Sequence, residues 1–151
     1  MIEEYAKKFY IPTALEHAKY KKDNYEFAKK KSERAKNVYI NWNCVRFVST
    51  SDNISPEMKI SNEITVRTKV YLGDILPNDV SVQVYSGYAP DGQSVSEVSV
   101  GEMHLASKDG DNYVFEGKIL IDKVGKCGYT ICVLPQYEGE VQILPGLIKW
   151  L

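Results

Sequence analysis

The chain has 151 residues, a net charge of −1 at pH 7, 44% hydrophobic residues and 26% charged residues. These values are typical of one globular domain with a hydrophobic core. No apolar run approaches the roughly 20 residues that a membrane span needs, and the acidic start at Glu3 and Glu4 does not resemble a secretory signal. We therefore expect a cytoplasmic protein without a membrane partner.

The cysteines argue against a metal site or a disulfide framework. Cys44, Cys127 and Cys132 are an odd number of thiols, and their spacing matches no zinc or redox motif. We expect them to be reduced and the core to hold together without cross-links.

Residues 1–43 are predicted to be a helical segment. Apolar residues recur there at three- and four-residue steps, and Pro12 indicates a break or kink. The last helical stretch carries one stripe made of Tyr25, Ala28, Ser32, Ala35, Tyr39 and Trp42. Lysines cover the other side, and they form either a solvated face or a binding patch for an acidic partner.

Residues 44–151 are predicted to be a β domain, because the apolar period changes from 3.6 to 2 after Trp42. Strands are expected near residues 45–47, 64–71, 80–85, 95–105, 113–121, 127–134 and 147–150. Gly110 lies in a strong hairpin signal, and residues 72–79 form a turn. About seven short antiparallel strands favour an immunoglobulin-like β-sandwich, so the fold class is mainly β with N-terminal helices.

The segment around Tyr129 resembles a tyrosine corner. Tyr129 follows a glycine and stands two positions before an expected core residue, Ile131, so its hydroxyl should bond nearby backbone. Cys132 would then point outward or toward the neighbouring layer as an inert thiol.

The residues that commonly perform catalysis do not form a recognisable constellation. His17 and His104 have no neighbouring nucleophile in a known motif. The carboxylate pairs Asp74 with Asp79 and Asp109 with Asp111 fall in turns, where aspartate is favoured for backbone reasons. We expect no catalytic residue, no metal ligand and no cofactor ligand in this chain.

Aromatic side chains are the remaining candidates for binding. Tyr71, Tyr85 and Tyr88 are predicted on or near outward strand positions, where they form either a glycan-contact platform or ordinary sheet surface. Trp42 and Trp150 are expected to pack between helix and sandwich. The β half lacks a concentrated basic stripe, so a nucleic-acid partner is not expected.

Several segments together resemble the C-terminal region of bacterial and archaeal α-glucan phosphorylases, which act on glycogen or maltodextrin. The resemblance rests on residues 1–12 (MIEEYAKKFYIP), 31–35 with Trp42 and Val45, 70–80 with 82–87, 113–117, 128–135 (GYTICVLP) and 146–150. It implies a non-catalytic C-terminal domain with a structural or assembly role. The alternatives are a glycan-binding module and a stand-alone interaction domain.

The resemblance also implies where the chemistry would lie. These enzymes use pyridoxal phosphate to cleave α-1,4-glucan with inorganic phosphate, and the cofactor is bound upstream of this region. The implied partners are the catalytic region and α-glucan. In isolation, the apolar residues Tyr5, Phe9 and Leu15 would be uncovered, so we expect self-association through the N-terminal helices.

Overall fold

In a computed structural model, the chain forms two compact units, Met1–Asn37 and Val38–Leu151. The structure describes residues 25–54, 63–89, 96–120 and 125–151, together with positions 4, 8, 11 and 21. The break at Pro12 and the side chains of Tyr5, Phe9 and Leu15 lie outside these residues. The domain limits 1–43 and 44–151 and the self-association of the helices therefore stay predictions.

Helix α1 spans Glu26–Asn41 and continues into a short 3-10 turn, Trp42–Cys44. An acidic residue in the first turn suits the partial positive charge at a helix N-terminus, and Glu26 also pairs with Lys30 at 3.4 Å. The amide of Val45 bonds the carbonyl of Trp42 at 3.1 Å and ends the turn. In the described part of the chain, no helix has the length and apolarity to cross a membrane.

The buried side of α1 differs from the predicted stripe. Val38 is fully buried and Trp42 is 1% exposed, whereas Tyr39 is 71% exposed and Tyr25 is half-exposed. Val38 and Trp42 are four residues apart and share one side of the helix, and Tyr39 is rotated about 100° from Val38. The prediction was wrong for Tyr39 and Tyr25, because small residues such as Ala35 fit two adjacent stripes equally well.

In the described part of the chain, eight strands follow the helix, and the pairings between them are antiparallel. The strands are β1 Arg46–Asp52, β2 Glu63–Tyr71, β3 Val80–Tyr88, β4 Ser96–Asp109, β5 Asn112–Leu120, β6 Cys127–Tyr137, β7 Glu140–Val141 and β8 Lys149–Trp150. The order is β1-β2-β5-β4-β3-β6-β7, and β8 pairs with β6. This curved sheet forms a half-barrel and confirms the mainly-β class with a preceding helix. The immunoglobulin-like arrangement stays a prediction.

Strand β4 is long enough to belong to two ladders. Its first part pairs with β3, where Met103 lies opposite Val82, and its last part pairs with β5, where His104 lies opposite Glu116. The β4–β5 register shifts between Leu105 and Ser107, and such irregularities bend and twist a strand. Strand β4 therefore joins the two halves of the sheet into one hydrogen-bonded path.

The core gathers apolar side chains from both halves of that path. In β2 the buried positions alternate with more exposed ones, as the sequence predicted. One continuous cluster contains Val38, Trp42, Val45, Ile64, Val66, Val70, Leu72, Ile75, Val80, Val82, Val84, Met103, Phe115, Ile119, Ile131, Val133 and Leu147. Thr68 is a polar member of the buried row, and its hydroxyl bonds that of Thr50 at 3.0 Å, which offsets the cost of burial.

The turns also agree with the sequence. Gly73 and Gly110 both have φ of +59°, which favours glycine, and Gly110 makes the β4–β5 hairpin. Strand β7 was not predicted, since two residues are too few to show a period. Pro90 and Gly92 predict a flexible connection at residues 90–93, which lies outside the described part of the chain.

Candidate binding surface

The structure separates the tyrosines that the sequence grouped as glycan contacts. Tyr71 ends β2, and the guanidinium carbon of Arg46 lies 4.0 Å from the centre of its ring. Tyr85 lies on β3, and strands β5 and β4 stand between β2 and β3. Tyr71 and Tyr85 are therefore in different halves of the curved sheet and do not form one platform.

Tyr88 ends β3 and packs against a glycine. A Cβ atom added at Gly125 would come within 2.6 Å of the Tyr88 ring, and Gly125 has φ of +129°. Only glycine fits both the space and the backbone conformation there. The Tyr88 ring thus has a packing role in fixing this connection.

Tyr85 does meet a second aromatic ring, that of Trp150. The ring centres are 5.0 Å apart and the planes are inclined by 67°, which is the edge-to-face geometry that aromatic pairs favour. Trp42 is 1% exposed, whereas Trp150 is 53% exposed. The expectation that both tryptophans are packed inside the protein is therefore wrong for Trp150. The two-residue strand β8 brings Trp150 to this face by pairing it with Cys132.

A chain of hydrogen bonds fixes the Tyr85 ring. Its hydroxyl donates to Oε1 of Gln83 at 3.0 Å, and Nε2 of Gln83 donates to Oγ of Ser81 at 3.3 Å. Gln83 and Ser81 are both buried. Burial, followed by the charge of Cys132, raises the pKa of Tyr85, so the hydroxyl stays protonated and continues to donate.

Cross-strand neighbours complete the surface around these rings. Tyr85 lies opposite Val100 of β4 and Thr130 of β6, and Gln83 lies opposite Glu102 of β4. Directly opposed residues share one face of a sheet. We call the set Tyr85, Trp150, Gln83, Val100, Thr130 and Glu102 the aromatic face.

Cys132 lies beside the aromatic face but offers no reactive thiol. It is buried, and burial raises its pKa to about 11. A thiol must lose its proton to act as a nucleophile, so Cys132 is inert at neutral pH, as the sequence predicted.

Tyr129 does not form the predicted tyrosine corner. Its hydroxyl donates to Oδ2 of Asp52 at 2.5 Å and not to nearby backbone. Burial, then this hydrogen bond, then the carboxylate charge raise the pKa of Tyr129 to about 12. Asp52 ends β1, so the prediction was wrong because the curved sheet brings β1 close to β6, which sequence spacing does not reveal.

An open cleft of about 310 Å³ adjoins this contact. Its lining includes Asp52, Asn53 and Arg67, and each of these makes a hydrogen bond or ion pair with the protein. Asn53 accepts the Thr65 amide at 2.8 Å. The polar side chains that line this cleft are therefore engaged in contacts within the protein.

Two further polar side chains lie on the sheet surface. His104 is exposed on β4, and Asp109 at the end of β4 pairs with Lys69 of β2 at 2.5 Å. Among the described residues, no group of three histidines, cysteines or carboxylates could hold a metal ion.

Pyridoxal phosphate needs a lysine that reaches it in an enclosed site. Lys30, Lys69 and Lys118 instead bind carboxylates at the protein surface. These three lysines therefore do not form an enclosed site for the cofactor.

Comparison with known proteins relates this domain to one family. The profile of the glycogen phosphorylase C-terminal domain matches residues 42–151. The chain is 26% identical to maltodextrin phosphorylase of Thermococcus litoralis over 99% of its length, and 23% identical to glycogen phosphorylase of Mycobacterium tuberculosis over 91%. It spans 18% and 16% of those two proteins. No solved structure matched significantly.

Proposed function

Because the chain belongs to the glycogen phosphorylase C-terminal domain family, we propose that it is the non-catalytic C-terminal domain of an α-glucan phosphorylase. In this proposal it braces the catalytic region, which lies elsewhere in the enzyme. That region binds pyridoxal phosphate and cleaves α-1,4-glucan with inorganic phosphate. A cytoplasmic location is part of the same proposal.

The observation that supports a bracing role is an exposed apolar pair on α1. Tyr39 is 71% exposed and Ile40 is 62% exposed, and the adjacent Val38 and Trp42 anchor the same turn in the core. The core thus holds this turn in place while two large side chains face water. Such a rigid apolar pair is suited to contact with another protein surface.

The size of this contact favours a partner in the same polypeptide. Full burial of one large apolar side chain is worth about 1.5–3 kcal/mol, and about two-thirds of each of these two is still exposed, so together they supply about 2–4 kcal/mol. That is no more than the roughly 4 kcal/mol of a 1 mM complex, so this pair alone would not hold separate chains together. Within one chain, covalent linkage removes the cost of bringing two molecules together, so even a weak contact adds to stability.

The first experiment asks whether the domain occurs with phosphorylase activity. Antibody raised against this chain is used to deplete a native extract, and phosphate-dependent release of glucose 1-phosphate from maltodextrin is measured in supernatant and precipitate. We expect the activity to move into the precipitate with a polypeptide several times larger than 17.1 kDa. A 17.1 kDa species without activity would overturn the proposal.

The second experiment tests the bracing contact in the enzyme so identified. Ile40→Glu places a charge in the contact, and Leu120→Glu is its matched control, because Leu120 is also 62% exposed but lies at the end of β5. We expect Ile40→Glu to shorten the half-life of activity on heating, and Leu120→Glu to leave it unchanged. Equal half-lives for both variants would exclude α1 as the bracing element.

A further inference from the structure

The aromatic face has the chemistry of a surface that binds a neutral sugar polymer. Sugar rings present flat C–H faces that stack on aromatic rings, and their hydroxyls need hydrogen-bonding groups nearby. Trp150 is half-exposed and supplies the stacking surface, and Tyr85 meets it at 5.0 Å between ring centres. Thr130 and Glu102 stand on the same face with groups that bond hydroxyls.

The surface is also fixed before a ligand arrives. Two consecutive hydrogen bonds join Tyr85 to buried Gln83 and Gln83 to buried Ser81, and these bonds restrain the Tyr85 ring. Trp150 is held through its strand pairing with Cys132. A surface that does not need to reorganise loses less binding free energy on ordering its side chains.

The charge on this face favours a neutral ligand over an anionic one. Glu102 is exposed, and its carboxylate would repel a phosphate group. Val100 extends the apolar surface next to Tyr85 and is half-exposed. An apolar platform with a carboxylate at its edge is typical of neither a nucleotide nor a nucleic-acid site.

We propose that the aromatic face is a contact site for α-1,4-glucan, separate from the catalytic region, that holds the polymer close to the enzyme. The linkage type rests on the proposed function, and the neutral-sugar chemistry rests on the face itself. Of the three tyrosines that the sequence singled out, this assigns the role to Tyr85, joined by Trp150, and leaves Tyr71 and Tyr88 out. We expect a shallow site with one stacked aromatic pair to bind the glucan with a Kd of about 1 mM.

Weak binding suits a polymer that offers many equivalent segments. Each released segment is replaced by a neighbour on the same molecule, so avidity for long chains exceeds that for short ones. We therefore expect maltoheptaose to bind more tightly than maltose, with the catalytic region absent.

Tryptophan fluorescence of the 151-residue chain provides the test, with maltoheptaose as the probe. Trp42 is 1% exposed and serves as an internal reference, so a saturable change should come from Trp150. Tyr85→Ala should weaken binding about tenfold or more, which corresponds to about 1.4 kcal/mol. Tyr71→Ala is the matched control, a partly exposed tyrosine in the other half of the sheet, and should bind as the wild type does.

Trp150→Ala removes the optical probe, so its binding is followed by chemical shifts of the ligand protons. We expect the shifts seen with wild type to disappear, while circular dichroism confirms that the variant is folded. A flat titration of folded wild type up to ten times the expected Kd would overturn the inference. Equal binding of a β-1,4-linked oligosaccharide would overturn its α-glucan part.

The outcomes separate this inference from the proposed function. If the aromatic face instead contacts the catalytic region, maltoheptaose gives a flat titration while antibody depletion still removes phosphorylase activity. That combination rejects the glucan site and retains the bracing domain.

Discussion

Replacing Tyr129 by phenylalanine removes the hydroxyl that joins β6 to β1 and keeps the ring that packs against the core. A hydrogen bond to a charged group contributes about 1.5–3 kcal/mol to stability. Asp52 also accepts the amide of Ile54 at 3.1 Å and keeps that bond in the variant, so we expect a loss of about 1.5 kcal/mol, at the lower end. For a domain of this size that lowers the melting temperature by about 3–6 °C.

The pH dependence identifies the hydroxyl as the cause. The pKa of Tyr129 is raised to about 12 in the folded protein, chiefly by burial and next by its bond to Asp52. In the unfolded chain a tyrosine loses its proton near pH 10. Between these values the folded state binds more protons than the unfolded state, so stability falls as pH rises. The contribution is complete below about pH 10 and lost above about pH 12.

Urea unfolding of wild type and Tyr129→Phe, followed by circular dichroism from neutral to alkaline pH, measures this contribution. All other ionisable groups are the same in the two proteins, so the difference in unfolding free energy isolates the one hydroxyl. Tyr113→Phe is the control, because the described part of the structure shows no hydrogen bond from that hydroxyl, and it should change stability little. A difference near zero at pH 7, or one that stays constant through pH 12, would refute the reasoning.

Two further predictions test packing and thiol burial. A Cβ atom at Gly117 would come within 2.7 Å of Met103 Cγ, so Gly117→Ala should lower the free energy of unfolding in urea by about 1–3 kcal/mol. A Cβ atom at Gly128 would meet no atom within 4 Å, so Gly128→Ala should be neutral or slightly stabilising. Similar costs for the two variants would contradict the packing of β4 on β5. Cys132 should resist Ellman's reagent in the folded protein, because burial raises its pKa to about 11, while the two exposed thiols react. Cys132 should react once urea unfolds the protein. Three thiols that react equally fast in the folded protein would disprove its burial.

Local alternation was enough to predict most of the sheet. Ile64, Val66 and Val70 alternate with polar residues and are buried in β2, and the glycine turn at Gly110 joins β4 to β5 as expected. Both signals depend on residues close together in the chain, so a single sequence contains them.

The candidate surface was only partly predictable, because its contacts depend on residues that are far apart in the chain. The Tyr85–Trp150 and Tyr129–Asp52 contacts join residues far apart in sequence, and each depends on which strands become neighbours. Tyr71 and Tyr85 have the same outward alternation but lie in different halves of the sheet. Periodicity assigns a face to each strand, and it does not order the strands.

The shared strand β4 has a consequence for how the domain comes apart. Its first part is hydrogen-bonded to β3 and its last part to β5, so neither half of the sheet can be pulled away while β4 stays intact. Separating the two halves therefore requires one of these ladders to break, so we expect them to unfold together in one transition.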